Sequence, residues 1–456
     1  MKFMDNMDNM DNTTKIGFVS LGCSKNQIDT EIMLKILVTD GYEIVSEEIA
    51  ADVIIINTCA FIESAKQEAI DNILDVAWLK ENRTLKGIIV CGCLAERYRE
   101  EILSEMPEID AVIGVFSIHD VLNAVKHIES GAAEKFISLK PQEGFVLGGE
   151  RVLTTPEYMA YIKISEGCDN FCSYCAIPLI RGRYKSREMQ SIVDEAKDLA
   201  ELGVKELCVV AQDTTRYGED LYGESKLPEL LEKLCGIDLI EWIRLLYCYP
   251  DKITDELIEV IKTNEKIVKY IDMPVQHISD EVLGAMNRRG GSEAIYSAIK
   301  KLRDNIPDII IRTTVIVGFP GESKQDFAKL CEFLDEVKFE RLGAFAYSKE
   351  EGTKAAGFEN HLSTAQKERR HKTVMQLQER INYALNKKKI GATIRVLCED
   401  YDKVSDAYFG RSYAEVPEID GKIYFTSKSR KRIKSGEFVD VTIKEIIDYD
   451  LLGECL

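Results

Sequence analysis

The chain has 456 residues, enough for two to four domains that each bury a core, and its 45% hydrophobic and 30% charged composition is that of a globular protein, not of a disordered or fibrous one. No apolar run is long enough to span a bilayer and the N-terminus lacks a signal-peptide core, so a cytoplasmic location is expected, with the 13 cysteines as reduced thiols available to metals. The formal charge of −19 disfavours non-specific attraction to nucleic acid and favours a basic partner.

Residues 1–14 repeat Met-Asp-Asn three times without an apolar period and read as a disordered tail. From Lys15 to about Glu129 strand and helix patterns alternate, as in a parallel α/β domain. Three strand candidates end near a cysteine. Ile16–Leu21 runs into Gly22-Cys23, Val53–Ile56 into Asn57-Thr58-Cys59, and Lys86–Val90 into Cys91-Gly92-Cys93. Open parallel sheets bind ligands at the carboxyl ends of their strands, so these cysteines point toward one crest of one sheet and form a candidate metal centre. Cys91 and Cys93 compete for the third position. Cys93 lies further past the strand end and is preferred, while Cys91 fits a buried core thiol.

Residues 130–155, with Gly131, Pro141, Gly144, Gly148 and Gly149, read as a linker. The segment 156–390 offers six strand candidates, 158–165, 205–211, 241–247, 268–273, 309–317 and 341–347, between helical patterns such as Met189–Leu202, Asp255–Asn264 and Glu293–Asn305. Six such units suggest a partial (β/α)6 barrel with its chemistry at the strand carboxyl ends. A long charged helical pattern spans 363–389. From 391 to 456, short alternating strands with turn signals at Pro417, Asp420-Gly421 and Ser435-Gly436 read as a small antiparallel β-barrel of the oligonucleotide- or peptide-binding kind.

The stretch Gly167-Cys168-Asp169-Asn170-Phe171-Cys172-Ser173-Tyr174-Cys175 sets three cysteines in one loop, directly after the first of the six strands. Thiolates this close repel one another unless a cation lies between them, so the loop reads as metal-binding. A zinc knuckle would favour C-x2-C pairs and a fourth Cys or His nearby, which the stretch lacks. Three thiols are one short of the four that close an iron–sulfur cubane, which leaves one iron open to a cofactor or substrate.

C-x3-C-x2-C with Tyr174 before the last cysteine, after a first barrel strand, resembles the radical S-adenosylmethionine enzymes. The resemblance implies a [4Fe–4S] cluster on Cys168, Cys172 and Cys175, S-adenosylmethionine on its open iron, and a low-potential electron donor. Ser20-Leu21-Gly22-Cys23-Ser24-Lys25-Asn26, Asn57-Thr58-Cys59-Ala60-Phe61 and Gly92-Cys93-Leu94-Ala95-Glu96-Arg97-Tyr98 resemble the N-terminal signatures of the methylthiotransferases within that group. This implies a second, auxiliary [4Fe–4S] cluster on Cys23, Cys59 and Cys93, a sulfur source, and a C-terminal TRAM module expected to grip the substrate protein. The family divides between transfer-RNA adenosine and an aspartate of small-subunit ribosomal protein twelve. Ala211-Gln212-Asp213-Thr214-Thr215-Arg216-Tyr217-Gly218, Tyr249-Pro250-Asp251, Pro274-Val275-Gln276-His277-Ile278-Ser279 and the stretch from Gly410 to Gly421 resemble the second group, departing from it at Val416. The implied reaction is methylthiolation of the aspartate β-carbon, whose C–H bond is not acidic enough for ordinary side-chain bases and so calls for a radical. The alternatives are the transfer-RNA reaction and a non-catalytic iron–sulfur protein.

Cofactor-facing positions are expected at Tyr174, at Gln212 with Asp213, and at Gly318, where Thr314–Glu322 resembles the strand end that lines the adenine side. The basic turn Arg181–Arg187 stays open between a solvated turn and an anchor for cofactor or substrate. Lys428–Lys434 lacks aromatic residues and reads as a solvated hairpin, so nucleic-acid binding is not expected as the main role. His277 reads as a packed residue, and Cys208, Cys235, Cys248, Cys331, Cys398 and Cys455 as structural.

Overall fold

The computed structural model describes residues 14–427 and 432–455. The tail read from residues 1–14 lies outside the described residues apart from Thr14, and so does most of the basic stretch at 428–434. Among the described residues no helix is long and apolar enough to cross a membrane.

The first unit is a sheet of six parallel strands, β1 (Lys15–Ser20), β2 (Glu43–Val45), β3 (Val53–Thr58), β4 (Gly87–Gly92), β5 (Ala111–Ile113) and β6 (Phe136–Ser138), in the order β2-β1-β3-β4-β5-β6. β3 and β4 are buried along their whole length, which is why Val-Ile-Ile-Ile and Gly-Ile-Ile-Val are continuous apolar runs instead of alternating ones. Ser20 lies opposite Asn57, and Asn57 opposite Cys91, so β1, β3 and β4 end level with one another. The linker expected over 130–155 begins later than the sequence suggested, because Phe136–Ser138 pairs with Ala111–Ile113 as the edge strand β6. Three residues bounded by turn formers carry too little periodicity to be read as a strand.

The second sheet holds the strands Met159–Lys163, Glu206–Val210, Trp242–Leu245, Ile267–Asp272, Ile310–Val317 and Arg341–Ala346, adjacent in chain order and all parallel. Each connecting helix turns an apolar stripe to the sheet. In Asp255–Thr263 the stripe is Leu257, Ile258, Val260 and Ile261, and the Thr254 side chain caps the helix by accepting the Leu257 N–H at 3.2 Å. The helix Thr364–Lys387 starts at a capping box between Ser363 and Gln366 and buries Val374 and Ile381.

The third unit is a closed five-stranded barrel in the order Thr393–Asp402, Ala407–Arg411, Ile423–Ser427, Asp450–Cys455, Phe438–Ile447. It is antiparallel except between Ile423–Ser427 and Asp450–Cys455, which run parallel. The wholly antiparallel barrel expected from the sequence is ruled out by parity, since five strands on a ring cannot all alternate in direction. The loop after Ala407–Arg411 plugs the floor of the central barrel. Arg411 bonds Glu206 at 2.7 Å, Arg244 donates to the Tyr413 carbonyl at 2.8 Å, and Arg341 bonds Glu415 at 2.6 Å. The opposite end, at the strand carboxyl termini, faces the first unit.

Candidate functional site

Cys23, Cys59 and Cys93 stand at the three level strand ends of the first sheet. Cys23 is the N-cap of helix Ser24–Thr39 and receives the backbone N–H groups of Lys25 and Asn26. The residue keeps accessible surface although protein surrounds its thiol. That enclosure pushes its thiol up, but Lys25 and Arg181 outweigh it and hold the thiol below its usual value. Burial dominates at Cys59, whose thiol is raised, and at Cys93, where it is pushed up to about 12 despite Arg181 nearby. Asn26 ties the three turns together. Its Nδ2 donates to the carbonyls of Leu21 (3.1 Å) and Thr58 (2.8 Å), and its Oδ1 lies 3.5 Å from the Cys93 sulfur.

Cys91 and Cys93 part at Gly92. The φ of +87° turns the chain there, and a Cβ would lie 2.2 Å from the Asn57 side-chain oxygen, so only glycine fits. Cys91 points into the core, with its sulfur 3.6 Å from the Ile56 carbonyl oxygen, while Cys93 opens the next helix on the crest.

The second trio lies on the loop after Met159–Lys163. Gly167, at φ +76°, packs against the Arg183 backbone, and a Cβ would come within 2.0 Å of its carbonyl oxygen. The loop is fastened at many points. Asn170 donates to Asp213 at 2.7 Å, Asn287 donates to the Asn170 and Phe171 carbonyls, and Ser173 donates to the Ala285 carbonyl at 2.7 Å. The Cys172 sulfur is 3.5 Å from the Tyr249 hydroxyl, and the Arg288 guanidinium covers the Tyr249 ring at 4.1 Å. Burial pushes the Cys168 thiol up to about 11 and raises Cys175 further. As bare groups these thiols hold their protons, and they ionise only against a cation.

A buried charge cluster joins the trios. Arg181 bonds Glu166 at 2.9 Å, Asp29 at 3.0 Å and the Asn26 side-chain oxygen at 2.5 Å. Lys163 bonds the same two carboxylates, Asp29 at 2.6 Å and Glu166 at 2.8 Å. Burial would raise the Glu166 carboxyl, but Arg181 and Lys163 outweigh it and hold it down to about 2. Two cations and two carboxylates thus balance one another. On the far side Glu350 accepts the Glu63 N–H at 2.9 Å and pairs with Arg97 at 3.2 Å. The first unit is clamped over the barrel mouth on both sides, and each unit brings its trio to that end.

Of the positions expected to face cofactor, Tyr174 sits beside Cys172 and packs against the cluster of Val282, Met286, Phe319, Tyr347 and Ala355. Gln212 donates to Glu166 at 2.6 Å and leaves its buried Oε1 without a partner. Both Asp213 oxygens are engaged within the protein, one by Thr215 and one by Asn170. Gly318 gives its N–H to the Glu322 carboxylate, and a Cβ there would meet the Lys367 side chain at 2.6 Å. Its amide therefore braces the strand end. Arg181 and Arg187 are buried against protein partners, Glu166 and Asp29 for one and Ser191 and Glu195 for the other, while Arg183 pairs with Asp169 at the surface. His277 is packed, accepting the Ser279 N–H at 3.0 Å. Sequence reasoning missed Asp29, Lys163 and Glu166. The signal was charge inside apolar segments, in Met-Ala-Tyr-Ile-Lys-Ile-Ser-Glu and on the buried side of helix Ser24–Thr39.

Family models match residues 15–114 (uncharacterized protein family UPF0004), 162–334 (radical SAM superfamily) and 390–456 (TRAM domain). The chain is 50% identical over 444 residues to the ribosomal protein uS12 methylthiotransferase RimO of Clostridioides difficile, covering 97% of this chain and 99% of that protein. This chain belongs to the RimO family. The RimO proteins of a Thermoanaerobacter species and of Acetivibrio thermocellus are 49% and 48% identical, over 96% and 97% of this chain and 99% and 98% of theirs. Among solved structures the radical S-adenosylmethionine methyltransferase TsrM of Kitasatospora setae shares the fold at TM-score 0.55 and 13% identity, over 74% of this chain and 75% of TsrM. Among the described residues no three His, Cys, Asp or Glu side chains are gathered so as to hold a metal ion. A multi-iron cluster, whose ligands attach to different irons, is the centre that thiols held apart on separate turns can share.

Proposed function

We propose that this chain transfers a methylthio group to the β-carbon of an aspartate in ribosomal protein uS12. The observation that carries the reading is the pair of cysteine trios, one at the carboxyl ends of each parallel sheet, joined through Arg181 in a chain of the RimO family. Each trio is three unpaired thiols, a donor set that fits a [4Fe–4S] cluster with one iron left open. Cys168, Cys172 and Cys175 would hold one and Cys23, Cys59 and Cys93 the other. Bound there with S-adenosylmethionine, such clusters would supply a reductively generated radical able to take hydrogen from an unactivated C–H bond, and a place to hold the sulfur to be transferred.

The protein's own part is to hold and enclose. Asn170, Asn287 and Ser173 fix the radical-forming loop, Asn26 and Arg181 fix the auxiliary turns, and the Asp29–Lys163–Glu166–Arg181 cluster sets the distance between them. Clamping of the first unit over the barrel mouth excludes water, which protects a radical from quenching. Tyr174, Gln212 and Gly318 line the cofactor side, Gln212 through its free Oε1. We assign sulfur handling to the unit from Lys15 to Ser138, radical formation to 156–390, and part of the grip on uS12 to the faces of 391–456 that the barrel floor leaves free. A low-potential electron donor and a sulfur source complete the system in the cytoplasm, and nucleic acid is not the main ligand.

Reduced, reconstituted protein is to be incubated with S-adenosylmethionine, a sulfur source, uS12 and transfer RNA, followed by mass spectrometry. The expected product is methylthiolated aspartate in uS12 with release of 5′-deoxyadenosine. A methylthio group on RNA alone rejects the acceptor, and absence of 5′-deoxyadenosine from protein with intact clusters rejects an enzyme.

A further inference from the structure

Three lysines are buried among the described residues, and two of them are paired: Lys66 with Glu63 and Glu350, Lys163 with Asp29 and Glu166. The third, Lys25, is 6% exposed and has no carboxylate or carbonyl partner among the described residues. Its Nζ lies 3.2 Å above the centre of the Tyr247 ring. An ammonium carries three N–H donors, and a ring face satisfies one of them at most. A ring face offsets only part of what an ammonium loses on leaving water, so Lys25, beside the Cys23 thiol that it helps to hold down, keeps N–H donors without a carboxylate or carbonyl acceptor.

Its position explains what the cation could serve. Lys25 lies two residues after Cys23, and Tyr247 follows the third central strand at the barrel mouth, so the ammonium bridges the sulfur-bearing crest and the radical-forming barrel. Tyr247 is held in place there. Its φ is +62°, its N–H donates to the Asp272 carboxylate at 3.1 Å, and its carbonyl accepts the Thr214 N–H at 3.0 Å. A non-glycine residue persists in that conformation only where the surrounding bonds hold it.

We propose that Lys25 binds the carboxylate of the acceptor aspartate and selects it over a neutral side chain. This rests on the reading of uS12 aspartate as the acceptor. The carboxylate carbon is bonded directly to the β-carbon, so a cation fixing the one positions the other between the two trios. A rival role for Lys25 is to balance the charge of the auxiliary thiolates, and that role takes no account of the acceptor's charge.

The test uses the full-length reconstituted protein and two synthetic uS12 peptides, one with the acceptor aspartate and one with asparagine in its place. Wild-type protein is expected to bind the aspartate peptide about ten- to a hundred-fold more tightly. Lys25→Met, neutral and of similar length, is expected to bind both peptides alike at the wild-type asparagine level. Its iron content is measured beside the binding, and Lys25→Arg should keep part of the preference. A Lys25→Met protein that retains the aspartate preference overturns the proposal, as does one that weakens both peptides by the same factor or loses its auxiliary iron. A wild-type protein with no preference overturns it without any variant. Wild-type protein that takes neither peptide while modifying transfer RNA overturns the reading of the acceptor, and the role of Lys25 falls with it.

Discussion

Gly167 leaves no room for a side chain, because a Cβ would lie 2.0 Å from the Arg183 carbonyl oxygen and φ is +76°. Gly167→Ala is expected to move Cys168, costing more than about 1 kcal/mol locally, and to drop the iron bound by that trio while the auxiliary iron stays. Iron analysis of the reconstituted variant beside its circular dichroism spectrum checks this, and full iron content would contradict it. Cys91 and Cys93 give a paired test. Cys91→Ala removes a core thiol and should keep both iron centres at a stability cost of about 1 kcal/mol. Cys93→Ala should lose about half the iron. These two residues also mark the reach of sequence reading: their spacing left both on offer, and only the turn at Gly92 separates them, which depends on how closely β4 packs against β3.

At the scale of elements, helix Ser24–Thr39 works on several fronts. Cys23 caps it, Asn26 binds three turns and Asp29 meets the barrel. The charge cluster it shares is costly to break, since removing one member leaves buried charge unpaired. Arg181→Met is expected to weaken the union of the first unit with the barrel by about 3–5 kcal/mol, read as a lower denaturation midpoint or as easier proteolysis between 139 and 158. An unchanged midpoint would mean that the cluster is not what holds the units together. The six central strands were legible to within a few residues because β-branched runs alternate with amphipathic helices. The three-residue strands β2, β5 and β6 were not, since each is defined by its neighbour in the sheet. Asp29, Lys163 and Glu166 were illegible as a group, because a buried charge looks surface-exposed in sequence until its partner, here more than a hundred residues from Asp29, is brought beside it.

At the scale of the whole molecule the central barrel is capped at both ends, by the first unit at the mouth and by the loop of the third unit at the floor. The floor depends on Glu206 between Arg411 and Arg244. Burial alone would raise the Glu206 carboxyl, but the two guanidinium groups outweigh it and hold it below its usual range. Because the folded-state value is depressed, this contribution is complete above the ordinary glutamate value near pH ~4.3 and is lost as pH falls through the lower folded value. The third unit should therefore loosen on acidification below about pH 4. Glu206→Gln should remove that pH step and weaken the floor at neutral pH as well. Proteolysis of the third unit across a pH series reads both effects, and an identical profile for wild type and variant would contradict the assignment. The parity of the five-stranded barrel could have been deduced from a strand count, but its attachment to the floor could not, because Arg411 and Glu415 resemble surface residues until Glu206 and Arg341 are placed opposite them.

Two variants assayed side by side test the proposed division of labour between the two trios most directly. With reduced protein, S-adenosylmethionine and uS12, Cys93→Ala is expected to release 5′-deoxyadenosine but to leave uS12 without a methylthio group. Cys175→Ala is expected to do neither. Normal methylthiolation by Cys93→Ala, or 5′-deoxyadenosine from Cys175→Ala, would contradict the account.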